Sequence, residues 1–263
     1  MGQIISKIDN ALAAFEPITL AEMSGIKLMN RIDTKYMINV NQLPILLERA
    51  KADYFAQELE DVFRKELYRT IYYDTPDAEM YTIHHNRKRT RQKIRIREYF
   101  ESDKRFLEIK NKNNRGRTKK IRIRVEDENV LDRIEAVEFI NEKSNYRAER
   151  LNQRLKNSFY RITLVNKAKT ERLTIDVLIN FFNYVTGVEN SYPDLCIIEI
   201  KQDGNTHSPF KDYLADLRIK QRRISKYCLG MVLTDVNLKA NNFKRKFIYI
   251  HKILNYGIIS SPE

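Results

Sequence analysis

The sequence predicts an α+β fold in which a mostly antiparallel sheet is covered by helices. Several segments alternate charged and apolar residues with a period of two, as strands do when one face is buried. The clearest are residues 93–97 and 120–125, where Arg or Lys alternates with Ile or Val. Segments with apolar residues at helical spacing lie between groups of such strands, and short polar turns connect neighbouring strands. This arrangement is typical of the α+β class.

Local signals justify the individual elements. Asn41 is a helix-capping residue with Pro44 in the following turn, the Asp-Thr-Pro sequence at 74–76 is a turn signal, and Gly116 lies in a polar connection. In chain order we predict helix 5–15, strand 31–40, helix 41–54, strand 67–73, a short helix or loop 77–86, strands 88–100, 106–110 and 118–125, helices 130–141 and 144–155, strands 159–167, 172–177 and 195–202, and helices 209–220, 225–231 and 239–256.

Composition restricts the class of protein. The chain has 263 residues, 42% of them hydrophobic, which is enough for a substantial core. No apolar run approaches the roughly 18 residues that a transmembrane helix needs, so we expect no membrane-spanning segment. Cys196 and Cys228 are predicted to be buried free thiols in a reducing cytoplasm, and the few His and Cys residues lack the spacing of a zinc site.

The net charge is concentrated in one stretch. Residues 87–124 contain 17 basic and 4 acidic residues, which equals the +13 of the whole chain. Two explanations are open for the charged strand faces. The sheet could present an ordinary charged face to water, or it could close into a barrel whose lumen is cationic and whose apolar exterior is covered by helices. Like charges on neighbouring strands are destabilising unless a polyanion lies between them, which favours a phosphate-binding lumen.

Carboxylates on the same faces suggest a metal. Glu108, Asp176 and Glu199 each fall on a strand face that also carries Lys or Arg. A carboxylate inside a phosphate-binding lumen is suited to Mg²⁺ or Mn²⁺, which bind one or two carboxylates together with substrate phosphates.

Nine segments, in order, resemble the catalytic domain of the vacuolar transporter chaperone (VTC) family, the polyphosphate polymerase branch of the triphosphate tunnel metalloenzymes. They are RIDTKYMI (31–38), LYRTIYYDTP (67–76), KIRIREY (93–99), FLEIK (106–110), GRTKKIRIR (116–124), FYRITL (159–164), ERLTID (171–176), IIEIK (197–201) and RRISKYCLG (222–230). The resemblance implies an eight-stranded antiparallel β-barrel tunnel over residues 30–232, with a helical segment at 1–29 and a helical extension at 233–263.

The resemblance also implies roles for individual residues. The expected catalytic residues are Arg95, Arg97, Lys110, Arg161 and Arg172. The expected phosphate-binding residues are Lys35, Lys120, Arg122, Arg223 and Lys226, where parity favours Lys120 over Lys119. Glu199 is the expected ligand of Mn²⁺ or Mg²⁺, with Glu108 as a second candidate.

Two positions depart from the wider family pattern. Related cyclases and triphosphatases begin with Glu-x-Glu-x-Lys, whereas this chain has Arg31-x-Asp33-x-Lys35, which favours the polymerase branch. Arg223 replaces a family lysine, which keeps the charge but changes its geometry.

Three functions follow as hypotheses. The first is a polyphosphate polymerase that acts on ATP, with pyrophosphate, triphosphate or polyphosphate as further ligands. The second is a tripolyphosphatase or nucleoside triphosphatase of the same fold. The third is a non-catalytic polyanion-binding protein. A nucleic-acid partner is not expected, because the basic strands lack the interleaved aromatic residues on which bases stack. The oligomeric state is left open.

Overall fold

The computed structural model describes residues 2–26, 31–59 and 64–259, which form a mixed helical and antiparallel-sheet structure. The strands are β1 (Glu16–Ile18), β2 (Arg31–Asn39), β3 (Tyr54–Gln57), β4 (Glu66–Asp74), β5 (Arg91–Tyr99), β6 (Lys104–Lys112), β7 (Thr118–Val125), β8 (Asn152–Asn166), β9 (Glu171–Asn183), β10 (Glu189–Tyr192) and β11 (Leu195–Asp203). The helices are α1 (Gly2–Ala13), α2 (Leu20–Ser24), α3 (Leu43–Ala50), α4 (Glu79–His85), α5 (Ile134–Lys143), α6 (Pro209–Asp216), α7 (Lys226–Thr234) and α8 (Lys244–Ile259).

Eight strands form the main sheet in the order β2-β11-β9-β8-β4-β5-β6-β7. Each neighbouring pair in this order is antiparallel. Short strands β3 and β10 add to β8 and β9, and β1 pairs with β3 in parallel. The prediction of a closed barrel is wrong in one respect: no ladder between described residues joins β2 to β7, so the sheet is open between its two edges.

The open sheet is nevertheless curled into a tunnel-like shape. The segment before α7 shows this, because it contacts strands that are far apart in the sheet order. The Arg222 amide donates to the Lys35 carbonyl of edge strand β2 at 2.7 Å. Three residues later, the Ser225 hydroxyl accepts from Lys93 Nζ of β5 at 2.8 Å. A flat sheet would separate β2 and β5 by the width of five strand spacings, about 24 Å.

The two faces of the curled sheet differ in chemistry, as the alternating pattern predicts. Apolar side chains of β2, β8, β9 and β11 form a buried cluster on the outer face with residues of α1, α3 and α6. A second outer cluster joins residues of β4, β5 and β6 to α5. The inner face carries the charged residues. Cross-strand partners share a face in an antiparallel ladder, so the register places Lys35, Glu199 and Thr174 side by side on it.

One helix prediction is wrong. Residues 144–155 contain only a 3-10 turn at Ala148–Arg150, and β8 begins at Asn152. The polar and apolar spacing of this segment fits a helix, but Leu155 is fully buried as the cross-strand partner of Tyr72 and Asn183. Pairing with β4 and β9 therefore overrides the local pattern. Elements α2, β1, β3 and β10 were not predicted, because three to five residues carry too little periodicity.

Helix α7 closes one end of the curl. Ser225 caps it by accepting from the Cys228 amide, and Tyr227, Cys228 and Met231 are buried against apolar residues of the inner face such as Phe181. Cys196 and Cys228 are both free and buried, as predicted. Within the described ranges, no helix combines the length and the apolar character needed to cross a bilayer.

Gly230 allows α7 to approach the sheet closely. A Cβ atom at this position would lie 2.4 Å from Phe181 Cδ1 and 2.7 Å from Leu155 Cδ2. Both side chains are buried and have little room to move. Gly230→Ala should gain about 1 kcal/mol of helix propensity and lose about 1 to 3 kcal/mol to overpacking, so we expect net destabilisation.

Urea unfolding measures this balance, with Gly25→Ala as the control. At Gly25 the nearest atom would be 3.7 Å from the new Cβ, an ordinary contact. A Gly230→Ala protein as stable as the control would show that α7 does not pack tightly against the inner face.

Candidate phosphate-binding site

The inner face forms a continuous cationic surface that extends across the sheet. The register and α7 bring together residues from β2, β5, β6, β7, β8, β9 and β11. The cations on this surface include Lys35, Lys93, Arg95, Arg97, Lys110, Lys120, Arg122, Arg161, Arg172, Lys201 and Lys226.

Three inner carboxylates each hold two cations. Glu108 receives both Nε and Nη2 of Arg95, at 2.9 and 2.7 Å, on one oxygen and Lys120 Nζ at 3.0 Å on the other. Each such group has a net charge of +1 when all three side chains are ionised. The shared carboxylate thus lowers the repulsion without neutralising the surface.

Asp176 repeats the arrangement on β9. Arg161 of β8 donates to its two oxygens at 2.7 and 2.8 Å, and Lys226 at the start of α7 pairs with the same carboxylate. The third group is Glu199 on β11, which pairs with Lys35 of β2 and, at 3.1 Å, with Lys201.

These pairs control the ionisation of the carboxylates. Burial alone would raise the pKa of Glu108, Asp176 and Glu199, because it disfavours the charged form. The neighbouring cations outweigh burial and hold all three pKa values below the usual range. The carboxylates are therefore ionised throughout the neutral range and can act as permanent anions in the site.

Some of these cations, including Arg97 and Lys110, form no ion pair with a carboxylate among the described residues. Arg97 is only 5% exposed, and its Nε has no hydrogen-bond partner among the described residues. Burial, followed by repulsion from Arg95 and Arg161, lowers the pKa of Arg97 to about 10. Repulsion from Arg95, followed by burial, places the pKa of Lys110 well below its usual value. An anion bound to the inner face would offset the repulsion and the cost of burial at both residues.

Aromatic rings also lie on the inner face, in contact with basic side chains of other elements. Arg122 lies over the Phe106 ring with its guanidinium carbon 4.1 Å from the ring centroid, and Lys226 lies 4.3 Å from that of Phe159. In both contacts the cation and the ring belong to different elements, so the pattern within one strand does not reveal them. Phe159 is buried and has no face free for a base.

The structure brings nearly all of the predicted site residues together. Nine of the ten predicted phosphate-contacting residues lie on the inner face or at the start of α7, and Lys120, which shares the face of Arg122, contacts Glu108. Arg223 is exposed and lies outside the paired strands. It nevertheless lies close to the end of the β5–β6 ladder, where burial, Arg91 and Arg223 lower the pKa of Lys112.

Three inner-face residues were missed as site candidates. Lys201 holds Glu199, Lys93 donates to Ser225, and Glu66 is a buried partner of Arg161 across the β4–β8 ladder. Burial raises the pKa of Glu66. Lys93 and Lys201 were visible in the alternating pattern, two positions from Arg95 and Glu199. Glu66 precedes the β-rich segment and gave no such signal.

The donor set fits a metal that is held jointly with phosphate. No group of three or more His, Cys, Asp or Glu side chains converges anywhere in the described ranges, so a cage built from protein ligands alone is absent there. Mg²⁺ and Mn²⁺ can instead bind one or two carboxylates while phosphate oxygens complete the shell. Single inner carboxylates such as Glu199 suit that mode.

Comparisons with known proteins agree with the resemblance. The sequence matches the VTC domain family over residues 30–234. No curated protein matches the chain. A candidate adenylyl cyclase from Hippeastrum, described as having a dominant triphosphatase activity, is 14% identical, with 80% of this chain and 99% of that chain covered and a TM-score of 0.46.

Two bacterial structures, both described as candidate adenylate cyclases, are similar to a comparable degree. The protein from Vibrio parahaemolyticus is 13% identical, with 77% of this chain and 99% of that chain covered and a TM-score of 0.44. The protein from Bacillus halodurans is 15% identical, with 75% and 96% covered and a TM-score of 0.45. The family match spans most of the chain and includes every strand of the main sheet, so the protein belongs to the VTC domain family.

Proposed function

We propose that this protein is a metal-dependent polyphosphate polymerase that transfers the terminal phosphoryl group of ATP to a growing phosphate chain. The observation that carries the proposal is the surplus of positive charge on the inner face. Each of three carboxylates is shared by two cations, and Arg97 and Lys110 pair with no carboxylate among the described residues. A linear chain of phosphates is a polyanion of matching charge and shape.

The proposed roles are those that the family resemblance implies. Arg95, Arg97, Lys110, Arg161 and Arg172 bind the triphosphate, and Lys35, Lys120, Arg122, Arg223 and Lys226 line the path of substrate and product. Phosphoryl transfer needs alignment of the attacking and leaving oxygens and neutralisation of charge more than it needs a protein nucleophile. The new P–O bond forms to the terminal oxygen of the acceptor chain while the bond to ADP breaks.

Glu199 is favoured over Glu108 as the metal ligand. Glu108 is 1% exposed and its oxygens are engaged by the planar fork of Arg95 and by Lys120. The Glu199 side chain is 20% exposed, and its ion-pair partners among the described residues are both lysines. A lysine ammonium is a mobile point charge that can turn to a phosphate and free the carboxylate, whereas a forked arginine contact is geometrically fixed. A bound Mn²⁺ or Mg²⁺ would supply charge neutralisation at the transferred phosphoryl group.

A triphosphatase is the second candidate. It would use the same groove with water in place of the acceptor phosphate. The buried Glu66 beside Arg161 supports keeping this alternative, because burial raises the pKa of its carboxyl and makes it a better base.

The decisive assay incubates the purified protein with ATP and Mn²⁺ and resolves the products on a polyphosphate-staining gel. We expect a polymer smear from the wild type and a loss of more than about 100-fold for Glu199→Gln, because the metal loses its anionic ligand. Tripolyphosphate binding without metal should be retained in this variant, since removal of a carboxylate weakens no phosphate contact.

Glu98→Gln is the matched control. Glu98 is also a buried carboxylate that holds two arginines, Arg69 and Arg105, but it lies on the outer parity of β5. Its loss should leave polymer formation intact. Free phosphate without polymer would replace the polymerase with the triphosphatase, and equal activity of both variants would reject Glu199 as the metal ligand.

Lys110 should make phosphate binding depend on pH. Its pKa is depressed in the free protein, and a bound phosphate favours the charged ammonium, so binding takes up a proton at pH values between the two pKa values. The affinity for tripolyphosphate should therefore fall as the pH rises through this window. Lys110→Arg keeps its charge at all these pH values and should flatten the dependence.

Calorimetric titration with tripolyphosphate from neutral to alkaline pH tests this prediction. Ionisation of tripolyphosphate itself affects both proteins equally. The difference in pH dependence of affinity between wild type and Lys110→Arg therefore reports on Lys110. Lys119→Arg, on the opposite face of β7, should behave as the wild type. Parallel pH profiles for all three proteins would contradict the assignment.

A further inference from the structure

Arg97 is held in an unusual way for a buried cation. Its side chain lies on the inner face of β5 between Arg95 and Tyr99 and is 5% exposed. None of the ion pairs between described residues includes it, and its Nε is unpartnered there. A buried cation normally pairs with a carboxylate, because desolvation otherwise makes its charge costly. Another interaction must therefore keep this side chain in place.

Two stacked rings lie beneath the guanidinium. Tyr68 and Phe159 stack with their centroids 5.6 Å apart and their planes at 16°. The Arg97 guanidinium carbon lies 5.2 Å from the Tyr68 centroid and 5.7 Å from that of Phe159. Both distances are within the range of a cation–π interaction, which strengthens when the groups are desolvated. We refer to Tyr68 and Phe159 together as the ring floor.

The ring floor also contacts the cations of the Asp176 group. Arg161 lies 4.7 and 5.2 Å from the two centroids, and Lys226 lies 4.3 Å from Phe159. These two cations pair with Asp176 as well, whereas Arg97 forms no ion pair with any described carboxylate. Arg97 thus depends on the ring floor more than its neighbours do.

A ring and a carboxylate hold a cation with different consequences for an incoming phosphate. A carboxylate occupies N–H donors of the guanidinium and repels the phosphate. A ring attracts the guanidinium through its π face, adds no negative charge and leaves the N–H donors at the rim uncommitted. A cation held by rings is therefore ready to bind an anion without first breaking an ion pair.

We propose that Tyr68 and Phe159 are positioning residues that hold Arg97 for direct binding of a phosphate group. The inference rests on the proposed function, since it assigns how one phosphate-binding residue of that site is kept available. It predicts that removal of a ring weakens the binding of a linear phosphate chain, because Arg97 is no longer held in place. This loss of affinity should be separate from any loss of protein stability.

The test measures tripolyphosphate affinity by calorimetry, without metal or turnover. Phe159→Leu keeps an apolar side chain but removes the π face, and we expect affinity to fall about 5- to 30-fold. In an Arg97→Gln background the same substitution should cost less than about 2-fold, because the contact with Arg97 is already gone, and Arg161 and Lys226, which also contact the ring, stay held by Asp176. Under saturating substrate the turnover number should change less than KM does.

Phe210→Leu is the matched control for packing. Phe210 is fully buried in the outer cluster and contacts Tyr54 and Tyr213, and no described Lys or Arg lies over its ring. We expect a similar fall in unfolding midpoint for Phe159→Leu and Phe210→Leu, but unchanged affinity for Phe210→Leu. If Phe159→Leu does not fold, Tyr68→Leu removes the other ring at a position with 7% exposure.

The outcomes separate the two proposals. Failure of the wild type to bind tripolyphosphate would overturn the proposed function and the inference with it. Binding by the wild type together with unchanged affinity in folded Phe159→Leu, or an equal loss with and without Arg97, would overturn the inference alone. A loss confined to the background that contains Arg97 supports it.

Discussion

Repulsion among cations that share one concave face is the constraint on which the rest of this structure depends. Curling the sheet brings residues of distant strands within electrostatic reach, so that Lys110 of β6 interacts with Glu199 of β11. The repulsion on this surface is offset by carboxylates and by the π faces of aromatic rings that lie among the cations. The carboxylates of Glu108, Asp176 and Glu199 each serve two cations, and aromatic rings support others. The apolar outer face follows from the same alternation, and it obliges α1, α3, α5 and α6 to cover it.

The three carboxylate groups differ in a way that matters for function. Two are held by an arginine fork and a lysine, and they are almost fully buried. The third, at Glu199, is held by two lysines and is partly accessible. The first kind of contact fixes arginine geometry for recognition of phosphate oxygens, whereas the second can be exchanged. The same face therefore contains both rigid carboxylate–arginine contacts and exchangeable carboxylate–lysine contacts.

The sequence was most informative about which residues share a face and least informative about what lies opposite them. A period of two along a strand was sufficient to place Arg95, Lys120 and Glu199 on the inner face, because side-chain direction is a local property. It could not show that Tyr68 and Phe159 lie beneath Arg97, because that contact depends on register among β4, β5 and β8. The same limit explains the wrong helix at 144–155, where cross-strand pairing decides the conformation. Closure of the sheet also depends on geometry that no local pattern encodes.

The open edge of the sheet at β7 has a consequence for the behaviour of the protein in solution. A strand without a neighbour on one side offers unpaired amides and carbonyls to any other chain, which is a common route to aggregation. Strand β7 contains Lys119, Lys120, Arg122 and Arg124 and has no acidic residue. Two copies that met edge to edge through β7 would place like charges opposite each other. The residues that make the groove attractive to polyanions therefore also keep its rim from pairing with itself.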